Sequence, residues 1–68
     1  MTKAFGKTLR ELRKKKGCSQ DEIAKILKIN RTTYTKYETG VSQPDFETLR
    51  KLCEIYEVDY NTLLNYKP

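Results

Sequence analysis

A chain of 68 residues makes one small domain at most, and residues 1–68 are read here as a single unit. It carries 14 Lys and Arg against 9 Asp and Glu, a net charge of +5, and it has no histidine, which removes imidazole catalysis and His-ligated metals. No apolar run approaches the roughly 18–20 residues of a membrane span, and Met1–Lys7 lacks the apolar core of a signal peptide.

Cys18 and Cys53 stand far apart without a CxxC pattern, so both are expected as reduced, buried thiols in a cytoplasmic protein. No metal or other cofactor is implied. The charge is unevenly spread. Residues 1–36 hold 11 basic and 3 acidic residues, and residues 37–68 hold 3 basic and 6 acidic ones. A basic half joined to a mildly acidic half suggests a surface for a polyanion.

No alternation of strand type persists, so the expected fold class is all-α, with five short helices. The first runs from about Ala4 to Lys16, with Phe5, Leu9 and Leu12 as one apolar stripe. Lys14, Lys15 and Lys16 suit the negative end of its dipole, and Gly17 stops it.

Ser19-Gln20-Asp21-Glu22 is a capping box that opens the second helix, which ends near Leu27. Its buried side is expected to comprise Ile23, Ala24, Ile26 and Leu27. Lys28-Ile29 form a tight turn, and Asn30 caps a third helix from Arg31 to Glu38. Tyr34 and Tyr37 face inward on that helix, and Arg31, Thr32, Thr35 and Lys36 face outward.

Thr39 to Pro44 read as a loop. Asp45 caps a fourth helix from about Phe46 to Tyr56, with Phe46, Leu49, Leu52, Cys53 and Tyr56 inward. Asp59 caps a short fifth helix near Tyr60–Asn65, with Leu63 buried.

The second and third segments have the mechanics of a helix-turn-helix. Two short helices that cross closely need a small residue, which Ala24 supplies. The turn needs an apolar anchor, Ile29, and the second helix needs an apolar inner pair, Tyr34 and Tyr37. A polar, basic outer face then fits the roughly 12 Å-wide major groove of DNA. No nucleophile–base pair is visible, so an enzyme is not expected.

The strings Leu9-Arg10-Glu11-Leu12-Arg13, Gly17-Cys18-Ser19-Gln20-Asp21-Glu22-Ile23-Ala24, Tyr37-Glu38-Thr39-Gly40, Pro44 and Val58-Asp59-Tyr60-Asn61-Thr62-Leu63-Leu64 give the chain a resemblance. In this order and spacing it resembles the phage repressor and Cro (Xre-like) helix-turn-helix family over about residues 8–64. The resemblance implies a compact five-helix, lambda-repressor-like DNA-binding domain that acts as a sequence-specific transcriptional regulator, in most cases a repressor. It implies base readout by Asn30, Arg31, Thr32 and Lys36. Phosphate contacts would come from Gln20, Lys28, Thr33 and Thr39 and from the backbone amides of Gly40 and Val41. Arg13 and Glu38 match a family ion pair. A homodimer on a near-palindromic operator would use Ile55, Tyr60, Asn61 and Leu64.

Lys28 departs from the family pattern, which usually has glycine there, so a left-handed Lys28 is expected at a cost of about 1 kcal/mol. Tyr34 is bulkier than the usual aliphatic, and its hydroxyl is expected to reach the surface or a partner. Two rival readings are a helical protein–protein adaptor or antitoxin-like module, and a DNA-binding fragment of a longer repressor.

Overall fold

The computed structural model describes residues 3–65, and Met1, Thr2, Tyr66, Lys67 and Pro68 lie outside them. Five helices follow one another: α1 (Lys3–Lys16), α2 (Gln20–Leu27), α3 (Arg31–Thr39), α4 (Phe46–Tyr56) and α5 (Tyr60–Asn65). No strand occurs among the described residues.

Local chemistry sets each boundary. The carbonyls of Arg13 and Lys14 accept from the Gly17 amide as the chain turns left-handed at φ +81°, which ends α1. Ser19 Oγ accepts from the Glu22 amide at 3.1 Å while Glu22 Oε1 accepts from the Ser19 amide at 2.9 Å, a reciprocal cap that opens α2. Asp45 and Asp59 accept from the amides of Thr48 and Thr62 at 2.8 and 2.7 Å. Those hydrogen bonds hold both carboxyls below their ordinary range.

Asn30 occupies the N-cap position of α3 with extended backbone, but its side chain makes no capping bond, contrary to the expected cap. Lys28 ends α2 at φ 60°, ψ 42°, in the left-handed region. Glu57 ends α4 the same way at φ 55°, which nothing in the sequence signalled.

Phe5, Leu9 and Leu12 of α1 meet Ile23, Ala24 and Leu27 of α2, Tyr34 and Tyr37 of α3, Leu49, Leu52 and Tyr56 of α4, and Leu63 of α5 in one core. Ile29 and Cys18 pack against its edge, so Cys18 is half-buried rather than buried, while Cys53 lies inside. Burial pushes the Cys53 thiol up, which keeps it protonated.

Two expected core residues point outward. Ile26 is 55% exposed, because α2 is only two turns long and one narrow stripe satisfies its contact with α3. Phe46 is 79% exposed, because it is the first residue of α4 and precedes the stripe of Leu49, Leu52 and Cys53 that turns inward.

α1 packs most extensively on α3 and also touches α4 and α5. Gly6 makes that contact possible. A Cβ at position 6 would lie 2.3 Å from the Glu38 carbonyl oxygen and 2.7 Å from that of Tyr37. The end of α3 therefore rests directly on the backbone of α1.

Candidate nucleic-acid interface

α3 is held by its inner side. Tyr34 is fully buried, and its hydroxyl bonds that of Tyr56 at 2.6 Å, so the bulky ring ends on an internal partner rather than at the surface. Burial, reinforced by this bond, drives the Tyr34 hydroxyl far above its ordinary range. Burial likewise pushes Tyr56 up to about 12. Both rings remain neutral over the range in which proteins function.

One turn on, Glu38 is 8% exposed. Arg13 donates to it through Nε to Oε2 at 2.7 Å and through Nη2 to Oε1 at 3.2 Å. Gln20 Nε2 donates to Oε1 at 3.0 Å. Burial alone would raise the Glu38 carboxyl, but hydrogen bonds from Arg13, Tyr34 and Gln20 outweigh it and hold the group below its ordinary value. The carboxylate in turn holds the Arg13 guanidinium above its own.

Gln20 joins two elements. Its amide oxygen accepts from the Thr35 hydroxyl at 3.1 Å while its nitrogen serves Glu38. Thr35, expected on the outer face, is thus half-buried and turned toward α2. An amide nitrogen has two N–H groups, so Gln20 keeps one donor beyond its bond to Glu38.

The outer face of α3 is of another kind. Asn30, Arg31, Thr32 and Lys36 are exposed, and Thr33 is half-buried. Among the described residues no hydrogen bond or ion pair engages the side chains of Arg31, Thr32 or Lys36. The nearest basic residue of the turn, Lys28, is exposed as well. Beside Arg31 opens a polar cleft of about 410 Å³, bordered by Arg10, Arg13, Ser19, Gln20, Glu38 and Thr39.

The corner after α3 corrects one expectation. The amides of Gly40 and Val41 are not open to a phosphate, because both donate to the Lys36 carbonyl, and Ser42 does the same. A left-handed Gly40 (φ +81°) folds these amides back onto that one carbonyl near the end of the helix. Thr39 is exposed and its hydroxyl points at the same carbonyl at 3.3 Å.

The four residues expected at a dimer surface do not share one face. Ile55 is half-buried and borders a groove with Leu12, Lys15 and Lys16 of α1. Tyr60, Asn61 and Leu64 are exposed on α5. Sequence reasoning missed Gly6 and the outward Phe46. A glycine inside a helical pattern was the available signal for the first.

Among the described residues no three of Cys, Asp and Glu gather as a metal ion requires, and no helix is long and apolar enough to cross a membrane.

Comparison with known proteins agrees with this geometry. The sequence model of the family described as "Helix-turn-helix domain" matches residues 6–67. The SPbeta prophage-derived uncharacterized HTH-type transcriptional regulator YonR of Bacillus subtilis is 45% identical over 88% of this chain and 56% of its own length. The HTH-type transcriptional regulator ImmR of the same organism is 39% identical over 90% of this chain and 48% of its own. The cryptic phage CTXphi transcriptional repressor RstR of Vibrio cholerae is 33% identical over 90% and 55%. The chain thus spans about half the length of these curated relatives. With the crossing of α2 and α3, the left-handed turn between them and the family match over nearly all its residues, the chain belongs to the helix-turn-helix domain family, a DNA-binding and non-enzymatic class.

Proposed function

We propose that this chain is the DNA-binding unit of a cytoplasmic transcriptional regulator, residues 1–68 acting as one domain that reads double-stranded DNA. The observation that carries the reading is the outer face of α3, where Arg31, Thr32 and Lys36 stand exposed with no partner among the described residues. α3 enters the major groove. Arg31 and Lys36 seek the O6 and N7 acceptors of guanine, Thr32 offers a methyl to thymine, and Asn30 adds a contact at the mouth of the groove. Lys28, Thr33, Thr39 and the spare N–H of Gln20 hold phosphates and set the register.

One nine-residue helix reads only a few base pairs. A homodimer on a near-palindromic operator, with half-sites about 34 Å apart, supplies the remaining specificity. A relative whose name states that it is a repressor favours repression by occlusion of the promoter.

Selection of bound duplexes from a random pool, followed by fluorescence anisotropy at several salt concentrations, tests the proposal. The expected outcome is an enriched, near-symmetric sequence whose binding constant falls steeply with salt, by about 0.9 logarithmic units per phosphate contact for each tenfold rise in salt. No enrichment, or affinity indifferent to salt, rejects it and favours a protein–protein adaptor.

A further inference from the structure

α1 carries seven Lys and Arg residues against one acid, Glu11. Its last-turn lysines suit the helix dipole, but Lys7 and Arg10 stand nearer the positive end, where a cation gains nothing from it. Lys7, Arg10 and Lys14 are exposed, and among the described residues none of the three has a hydrogen bond or ion pair. Three and four residues apart, they repel one another across single turns. With Glu11 they border a hollow along α1, and Arg10 also borders the polar cleft beside Arg31 and Gln20. At 100° per residue, Gly6 and Arg13 lie within about 60° of Arg10 on the side of α1 that meets α3. Lys7 and Lys14 lie within about 60° of it on the other side. Arg10 thus joins the cleft and the row into one basic surface.

We infer that the row of Lys7, Arg10 and Lys14 is a second phosphate track, along which α1 holds the DNA strand that passes the cleft. The inference rests on the DNA-binding reading above and adds to its contact surface a helix outside the helix-turn-helix. The row is linear and so is the ligand. Lys7 to Lys14 spans about 10 Å at 1.5 Å per residue, and one DNA strand presents a phosphate about every 3.4 Å of its axis. A protein partner would need an aromatic or aliphatic anchor at the centre of its contact, and the hollow is bordered by charged side chains alone. A phosphate backbone needs only cations. Arg10, at the junction, can grip one phosphate with two N–H groups, and the lysines follow the strand as point charges. Such contacts strengthen binding to every sequence alike and leave base discrimination to α3.

Fluorescence anisotropy against salt, on a selected duplex and on a scrambled one, tests the assignment. The variants are Lys7→Gln, Arg10→Gln, Lys14→Gln and the triple change, with circular dichroism to verify folding. Lys16→Gln removes the same charge from the opposite side of α1 and is the control. All four positions are solvent-exposed, so the fold should persist. Each single variant is expected to lower the slope of log K against log salt by about 0.9, which over the decade from 1 M to 0.1 M salt converts to about an eightfold weaker affinity at 0.1 M. The loss should be equal on both duplexes, the triple change should lower the slope by about 2–3, and Lys16→Gln should leave it unchanged. Row variants that behave like Lys16→Gln overturn the track and leave the DNA-binding reading standing. An effect confined to Arg10→Gln also overturns it, and keeps the contact inside the cleft. A wild-type chain that binds neither duplex overturns both readings.

Discussion

The two faces of α3 make opposite use of the same nine residues. The inner face ties its polar groups to the protein at three positions: Tyr34 to Tyr56, Glu38 to Arg13 and Gln20, and Thr35 to Gln20. The outer face spends none of Arg31, Thr32 or Lys36. The contrast is physical economy. A short helix in isolation is marginal, so bonds to α1, α2 and α4 fix its position, and the exposed side chains meet a ligand from a backbone already in place. That arrangement lowers the ordering cost of binding. It also predicts that inner-face changes act on stability and outer-face changes on recognition.

The largest break is expected from Gly6→Ala. Alanine for glycine in a helix ordinarily gains about 1 kcal/mol. Here the new Cβ would stand 2.3 Å from a backbone carbonyl that no rotamer change can move. The sign reverses, and a loss of about 3 kcal/mol or more is expected by urea denaturation. If the variant is as stable as the parent, α1 and α3 are not as closely apposed as described.

Glu38→Gln comes next, at about 3 kcal/mol, because it leaves the largely buried Arg13 charge without its counter-ion. The same carboxylate sets a pH dependence. Its folded-state value lies below the ordinary 4.5, so its contribution is complete above that value and fades as pH falls through the depressed one. Denaturation midpoints of the parent should drop on acidification in that window, and Glu38→Gln should flatten that part of the curve.

Arg31→Ala sharpens the contrast from the other side. It should weaken DNA binding by about 1–3 kcal/mol and relax preference at one base position, with stability unchanged within about 0.5 kcal/mol. Equal loss on every sequence would make Arg31 a phosphate contact, as its place beside the polar cleft also allows.

The smallest effect belongs to the turn that joins α2 to α3. Lys28→Gly removes the strain of a left-handed residue bearing a Cβ, and a gain of about 1 kcal/mol is expected. If that gain comes with weaker DNA binding, the Lys28 ammonium also touches phosphate.

Most helix boundaries were legible because they are written in local chemistry: Ser19 and Glu22, Asp45, Asp59, Gly17 and Gly40 act within a few residues of where they stand, whereas the left-handed Glu57 that ends α4 carried no such sign. The pairing of Tyr34 and Tyr37 at helical spacing likewise marked the inner face of α3. What escaped depends on distant chain. Gly6 has meaning only once Glu38 lies across it. The amides of Gly40 and Val41 looked available until the corner folded them onto Lys36. Phe46 carries the composition of a core residue but sits one turn too early on α4. Thr35 looks like any outward threonine until Gln20 arrives from another helix.

Arg13 also donates through Nη1 to the Cys18 carbonyl at 3.0 Å, in addition to its two bonds to Glu38. One flat, forked cation thereby staples the end of α1, the approach to α2 and the last turn of α3. A lysine there would preserve the charge and lose the geometry, since a single ammonium nitrogen cannot occupy three well-separated corners of a plane. Arginine at position 13 is thus a matter of shape, and its replacement by the other common base should loosen the angle between three helices at once.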